Sequence, residues 1–253
     1  MHVRPKKFLG QHFLKNDAIC ARIAAAISSD PIVPVLEIGP GTGALTRHLI
    51  ARGGSLTVVE VDRESIVYLK DHWPEGTFRI LDADFLKLPL EAHFDGPVVV
   101  AGNFPYNISS QILFRVLEYK DRVPEVVGMF QKEVAQRIAS PPGSRDYGIL
   151  SVFIQAWYDT TYLFTVGPEE FIPPPKVDSG VLHLRRNART SLGVDEALFT
   201  KVVKTAFNQR RKTLRNSLRS LLPPGTDTTD PIFNLRPERL GGEEWVGVVK
   251  LLS

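Results

Sequence analysis

The sequence predicts an α/β fold in which a mostly parallel sheet carries helices on both faces and a small α-helical domain follows. Three observations predict it. Short β-rich apolar runs alternate with helical stretches between residues 34 and 185, a glycine-rich turn joins the first run to the first helix, and β-rich runs cease after Arg186.

Each element follows from local pattern. The runs Pro34 to Gly39, Leu56 to Val61, Phe78 to Leu81, Val98 to Ala101 and Val126 to Phe130 are nearly continuous in apolar residues, as parallel strands covered on both faces are. Helices are expected between them, at about 43–53, 63–72, 107–120 and 131–139. Two later runs, at about 149–165 and 177–185, bracket the turn Phe171-Ile172-Pro173-Pro174-Pro175-Lys176 and are expected to close the sheet as an antiparallel hairpin. The linker-like Asn187 to Gly193 sets the domain boundary, giving 1–187 and 188–253. Beyond it Leu198, Val202, Ala206, Leu214, Leu218 and Leu221 recur at helical spacing, with Pro223-Pro224-Gly225 as an internal break.

Composition is that of a globular protein. With 253 residues, 43% hydrophobic and 23% charged, the chain is neither disordered, collagen-like nor a disulfide scaffold. No apolar run approaches the roughly 18 residues that span a bilayer, so no membrane contact is expected. Residues Met1 to Lys7 lack the apolar segment of a secretory signal and Cys20 is the single cysteine, which points to a reducing, cytoplasmic setting. Cys20, near Ile19 and Ile23 in a helix, reads as a buried inert thiol. His48, His72, His93 and His183 are scattered without ligand spacing, so no metal is expected. A monomer is expected.

The net charge of +3 is unevenly distributed. Residues 1–15 hold Arg4, Lys6, Lys7 and Lys15 with no acid. Residues 195–222 hold Lys201, Lys204, Arg210, Arg211, Lys212, Arg215 and Arg219 against Asp195 and Glu196, so the rest of the chain is acidic. Basic flanks suggest a polyanionic partner, although a charged helix face need do no more than solvate itself.

The first strand runs into Glu37-Ile38-Gly39-Pro40-Gly41-Thr42-Gly43. Glycines at a strand-to-helix turn let a ligand approach the backbone, and Gly39, Gly41 and Ala44 also satisfy the dinucleotide fingerprint. In either reading an acid about 20 residues on accepts from ribose hydroxyls, and Glu60 stands at the end of the second strand.

The fourth strand ends in Asn103-Phe104-Pro105-Tyr106, which a dinucleotide enzyme has no use for. The lone pair of an exocyclic base amine is delocalised into the ring, so the nitrogen is a poor nucleophile until its N–H groups are held by acceptors that favour a pyramidal geometry. The Asn103 side-chain oxygen and the Phe104 carbonyl are two such acceptors, Pro105 restricts the backbone that aims the second, and Tyr106 offers a face for a flipped base.

With these residues in view the chain resembles the small-subunit (16S) ribosomal RNA adenine dimethyltransferases, the KsgA/RsmA and Dim1-related family. The likeness runs through Phe8 to Leu14, Glu37 to Gly43, Asn103 to Asn107, Phe171 to Ser179 and Phe207 to Leu218. It implies a Rossmann-like S-adenosylmethionine-dependent methyltransferase sheet, S-adenosylmethionine as methyl donor, and dimethylation of two adjacent adenines near the 3′ end of the rRNA of the small ribosomal subunit. By the same likeness His12 and Leu14 cover the methionine end of the donor, Gly39 and Gly41 form its loop, Glu60 holds the ribose and Asp84 the adenine amine. Spacing alone leaves Asp82 open as an alternative to Asp84. Asn103 lies between donor and target, and Phe171 is the ring that sandwiches the target base opposite Tyr106. The helical domain would bind RNA through Arg210, Arg211, Lys212 and Arg215. His12 stands where the family commonly has Asn, and Phe104 where it commonly has Leu. Three other readings stay open at this point: a dehydrogenase, a large-subunit rRNA methyltransferase of the antibiotic-resistance type, and a non-catalytic assembly factor.

Overall fold

The computed structural model describes residues 3–252. Seven strands form the main sheet: β2 (Val35–Ile38), β3 (Leu56–Glu60), β4 (Arg79–Asp82), β5 (Val99–Asn103), β6 (Glu125–Gln131), β7 (Tyr158–Val166) and β9 (Ser179–Arg186), in the order β4-β3-β2-β5-β6-β9-β7. The five expected parallel strands are all present; β4 to β6 run parallel along that order and β9 is antiparallel to β6. Strands β2, β3, β5 and β6 are buried almost throughout, which is why their sequences are nearly unbroken apolar runs, whereas the edge strand β4 is half exposed. A separate two-stranded ribbon pairs β1 (Phe13–Leu14) with β8 (Phe171–Ile172) antiparallel.

The connecting helices are α1 (Asp17–Ala25), α2 (Thr46–Ala51), α3 (Arg63–His72), α4 (Ser109–Glu118) and α5 (Lys132–Ala139). Asn16 and Asp62 cap α1 and α3 by accepting from the N–H groups of Ile19 and Glu64. Cys20 lies in α1, fully buried, and its thiol is pushed up to about 12, chiefly by that burial.

Two expectations need correction. The run at 149–165 is not one strand: Ile149–Gln155 is helix α6, and only from Tyr158 does the chain extend. Its β-branched residues suit a strand, but Gly148 and Ser151 start a helix there, with the Gly148 N–H donating to the Ser151 hydroxyl at 2.9 Å. The expected pairing of the two late runs is present, with β9 and β7 adjacent at the end of the sheet.

The second correction concerns the domains. Contacts divide the chain into two units; one holds the residues up to Ala135 together with Asp159–Arg186, the other Gln136–Tyr158 together with the chain from Asn187 on. The units are discontinuous in sequence, with breaks after Ala135, Tyr158 and Arg186. The segment 136–158 changes sides because α6 packs its apolar residues with helix α7 (Glu196–Asn208), Phe153 lying 6.2 Å from Phe199 ring to ring. The second unit also contains α8 (Leu214–Ser217) and α9 (Gly242–Lys250), around the buried Trp245, Phe233 and Leu214.

Glu125, on β6, is a buried carboxylate that the sequence did not single out. It accepts from the Ser28 N–H and hydroxyl at 2.7 and 2.8 Å, from the Ser29 N–H at 2.8 Å, and pairs with His183 on β9. Burial alone would raise this carboxyl; His183 and the serine donors outweigh it and bring it down to about 2. A depressed carboxylate contributes stability above its unfolded value, and that contribution fades as pH falls from 4.5 toward 2. Glu125→Ala is therefore expected to cost about 3 kcal/mol at neutral pH in chemical denaturation, and to flatten the acid limb of the stability profile over that window.

Candidate functional site

Strand order reverses between β2 and β5, and in an open α/β sheet the C-terminal ends of the strands at such a point splay apart to leave a crevice. A cleft of about 370 Å³ lies there. Its walls come from the loop after β2 (Ile38, Gly39, Gly41), the end of β3 (Val59 to Val61), Ala83 to Leu86, the end of β5 with its following turn (Asn103 to Ile108), and the N-terminal segment Leu9 to Phe13.

Gly39 and Gly41 have φ of 66° and 56°, a left-handed backbone that glycine adopts without strain. Gly41 is also required by space: a Cβ there would lie 2.7 Å from the Phe13 ring. Two acids stand behind this loop. Glu60 accepts from the N–H groups of Val61 and Asp62 at 2.8 and 2.9 Å through one oxygen, and from Gly41 at 3.2 Å through the other. Burial raises its carboxyl while these backbone donors favour the charged form. Glu37 lies deeper and outside the cleft lining; burial, with the Glu60 charge beyond it, pushes its carboxyl up to about 8, and the Thr46 hydroxyl donates to it at 2.7 Å.

Asp84 lines the cleft and Asp82 does not. Asp82 is an exposed residue at the end of the edge strand, whereas Asp84 caps the turn Phe85–Lys87 by accepting from the Leu86 N–H at 3.0 Å.

Asn103, Phe104, Pro105 and Tyr106 all reach the cleft. The Asn103 side-chain NH₂ donates to the His12 carbonyl at 2.8 Å, and its oxygen has no hydrogen-bond partner among the described residues. Phe104 is 1% exposed, its N–H donates to the Met129 carbonyl at 3.1 Å, and its ring meets Phe130 edge-on at 5.0 Å. The ring occupies a slot between Gly102 and Gly128, which are cross-strand partners on β5 and β6. Tyr106 shares a hydrogen bond with the buried Ser179 and stacks on the His12 ring at 5.5 Å and 27°. Burial raises its phenol against that hydrogen bond.

The N-terminal segment forms one wall of the cleft and is tied at both ends. At one end the buried Asp62 pairs with Lys6 and accepts from Gln11 at 3.0 Å and from the Ser65 hydroxyl at 3.2 Å. Burial alone would raise the Asp62 carboxyl, but Lys6 and Gln11 hold it below the usual range. At the other end β1 pairs with β8, and His12 Nδ1 meets the Pro173 carbonyl at 2.8 Å. Asp62, Gln11 and Ser179 were missed as positioning residues. Gln11 and Ser179 sat inside family-like motifs, so a signal existed for both; Asp62 had only its place two residues after Glu60.

Two assigned residues stand elsewhere. The side chain of Leu14 is buried in the hydrophobic core and does not line the cleft; Gln11, His12 and Phe13 do. Phe171 is 2% exposed and packs in that same core, paired with Leu14 across β1 and β8, so its ring does not face Tyr106 across an open gap. The aromatic residues that line the cleft are His12, Phe13, Phe85, Phe104 and Tyr106.

The basic cluster of the second unit is not a continuous helix. Arg210, Arg211 and Lys212 lie in the turn between α7 and α8, and Arg215 lies on α8. Arg210 donates to the Arg145 carbonyl at 2.6 Å and approaches Glu238 at 3.8 Å, and Arg215 donates to the Thr228 carbonyl at 2.8 Å. Arg211 and Lys212 are exposed.

Comparisons with known proteins agree on one family. The family model described as ribosomal RNA adenine dimethylase matches residues 3–234. The protein named ribosomal RNA small subunit methyltransferase A from Parabacteroides distasonis is 58% identical over 247 residues, covering 96% of this chain and 92% of the relative. Among solved structures, a dimethyladenosine transferase from Plasmodium falciparum superposes with a TM-score of 0.80 at 24% identity, over 93% of this chain and 95% of that one. The 23S rRNA methyltransferase ErmE superposes with a TM-score of 0.67 at 26% identity, over 95% of this chain and 99% of that one.

The slot beneath the Asn103 turn makes a checkable demand. A Cβ on Gly128 would lie 2.1 Å from the Phe104 ring. Gly128→Ala is expected to destabilise by about 2 kcal/mol in urea unfolding through overpacking, and Phe104→Leu in the same chain to recover most of that loss.

Proposed function

The chain belongs to the ribosomal RNA adenine dimethylase family, and on that premise we propose that it methylates the exocyclic amines of two adjacent adenines near the 3′ end of small-subunit rRNA, with S-adenosylmethionine as donor. The observation that carries this reading is that Asn103 lines the glycine-lined cleft with its NH₂ committed to the His12 carbonyl and its oxygen without a partner among the described residues. A dehydrogenase would leave it without a task.

The residues present fit the donor. A cleft of about 370 Å³ lies in the range of small-molecule sites. Gly39 and Gly41 admit it to the backbone, Glu60 faces it with remaining lone pairs for ribose hydroxyls, and Asp84 has a carboxylate for its adenine amine. When bound, the donor supplies an electrophilic methyl group on a sulfonium. The acidic lining of Glu60 and Asp84 suits that positive charge.

On the target side Asn103 accepts one N–H of the adenine amine and the Phe104 carbonyl accepts the other. Held so, the nitrogen lone pair would turn out of conjugation toward the donor's methyl group; transfer would form the N–CH₃ bond as the S–CH₃ bond breaks, the donor would leave as a neutral thioether, and the methylated amine would lose its extra proton to water. Tyr106, fixed by Ser179, gives the base a face to stack on. Phe171 supports this arrangement from the core through β8 rather than as a second face. Rate comes from positioning and from acceptors set before the charge develops, with no covalent enzyme intermediate.

The second unit supplies the polyanion contact. Arg211 and Lys212 are placed for phosphates, while Arg210 and Arg215 shape the turn that presents them as well as adding charge. The large-subunit reading is the weaker one: the 58% relative carries a small-subunit name, whereas ErmE is 26% identical.

Incubation with labelled donor and small subunits lacking the modification is expected to give two adjacent dimethyladenosines, with none from Asn103→Ala; label on large-subunit rRNA, or activity surviving that substitution, contradicts the reading. Neutralising Arg211 and Lys212 together is expected to weaken subunit binding and to lower the slope of log affinity against log salt by about 1 for each charge, measured by filter binding.

A further inference from the structure

Phe8 is 77% exposed, the only aromatic among the exposed large hydrophobic residues of the described chain. It sits in the turn Lys7–Leu9, and the two residues after it, Leu9 and Gly10, line the cleft. The opposing neighbour of this turn is the target side of the site: a Cβ on Gly10 would lie 2.5 Å from the Asn107 side-chain oxygen, and Asn107 follows Tyr106.

The turn is fixed on every side. The Leu9 N–H donates to the Lys6 carbonyl at 3.1 Å, the Gly10 N–H to the Lys7 carbonyl at 3.0 Å, and the Lys6 N–H to the Gln11 side chain at 2.8 Å. The Lys6 and Gln11 side chains are both anchored on the buried Asp62. A large ring left mostly in water on a fixed turn is unfavourably hydrated, and the described residues leave 77% of Phe8 uncovered. Lys6 is paired with Asp62 and with Glu64, and the exposed Lys7 next to Phe8 in the chain offers a cation to a phosphate backbone.

Resting on the function proposed above, we infer that Phe8 is a stacking platform for the nucleotide next to the target, so that while one adenine occupies the cleft its neighbour lies on the Phe8 ring. Withdrawing one adenine from its stack strips its neighbour of a face. An aromatic ring at the cleft rim replaces that face without reading base identity, since every base has one. A substrate of two adjacent adenines then exchanges places between the two positions, each serving in turn as target and as stacked neighbour.

The test compares Phe8→Ala, Phe8→Leu and Phe8→Trp by steady-state methylation of unmodified small subunits, with donor affinity measured by calorimetry. Both Ala and Leu are expected to lower kcat/KM for the subunit about tenfold, Trp to restore it, and donor affinity to stay at the wild-type value. Full activity in Phe8→Leu overturns the proposal, because an apolar contact would then suffice, and so does an unchanged kcat/KM in Phe8→Ala. A loss of donor affinity assigns Phe8 to the donor site and equally overturns it. A wild-type chain that methylates no adjacent adenines overturns the underlying function as well, and is seen before any variant is made.

Discussion

One hydrogen bond organises the site: the amide of Asn103 donates to the carbonyl of His12. An Asn side chain is a donor at one end and an acceptor at the other, and only the acceptor can help an aromatic amine become nucleophilic. Occupying the donor end within the protein turns the oxygen outward in advance, so no reorganisation is needed when the substrate amine arrives. The rest of the structure can be understood as what is needed to hold His12 in place to do this.

That support reaches far along the chain. His12 belongs to a segment bound at one end by Asp62, just beyond the cleft-lining Glu60, and at the other by the β1–β8 ribbon and the Pro173 carbonyl. Asp62 in turn caps α3, and its N–H is held by Glu60. Glu60, the N-terminal wall of the cleft and Asn103 therefore lie along one path of hydrogen bonds and chain. The buried ion pair at its origin contributes little net stability by itself, since desolvation offsets attraction; its value is in fixing one geometry for the wall.

The parallel strands were legible because burial on both faces forces continuous apolar runs, and the glycine loop and Asn103 turn because their chemistry permits few alternatives. Three things were not. The helix α6 reads as a strand by propensity, and its burial among helices of the second unit decides otherwise. Phe171 has the right residue type for a base sandwich, but whether a ring faces a cleft or a core depends on the partner strand, here Leu14. Long-range pairs such as Lys6 with Asp62 and Glu125 with His183 lie 56 and 58 residues apart and leave no periodic mark in the sequence. The slot made by Gly102 and Gly128 accounts for how this chain accommodates Phe104 where Leu is common.

The account's central claim is that the N-terminal wall orients Asn103. Releasing that wall with Lys6→Met and Gln11→Ala leaves every group proposed to touch the substrate intact. Single-turnover methyl transfer on saturating small subunits measures the chemical step alone. The account expects that step to slow by about tenfold or more, as loss of a preset geometry does, while saturation keeps any change in subunit affinity through the Phe8 turn out of the measured rate. A chemical step at the wild-type rate in a folded variant would contradict it.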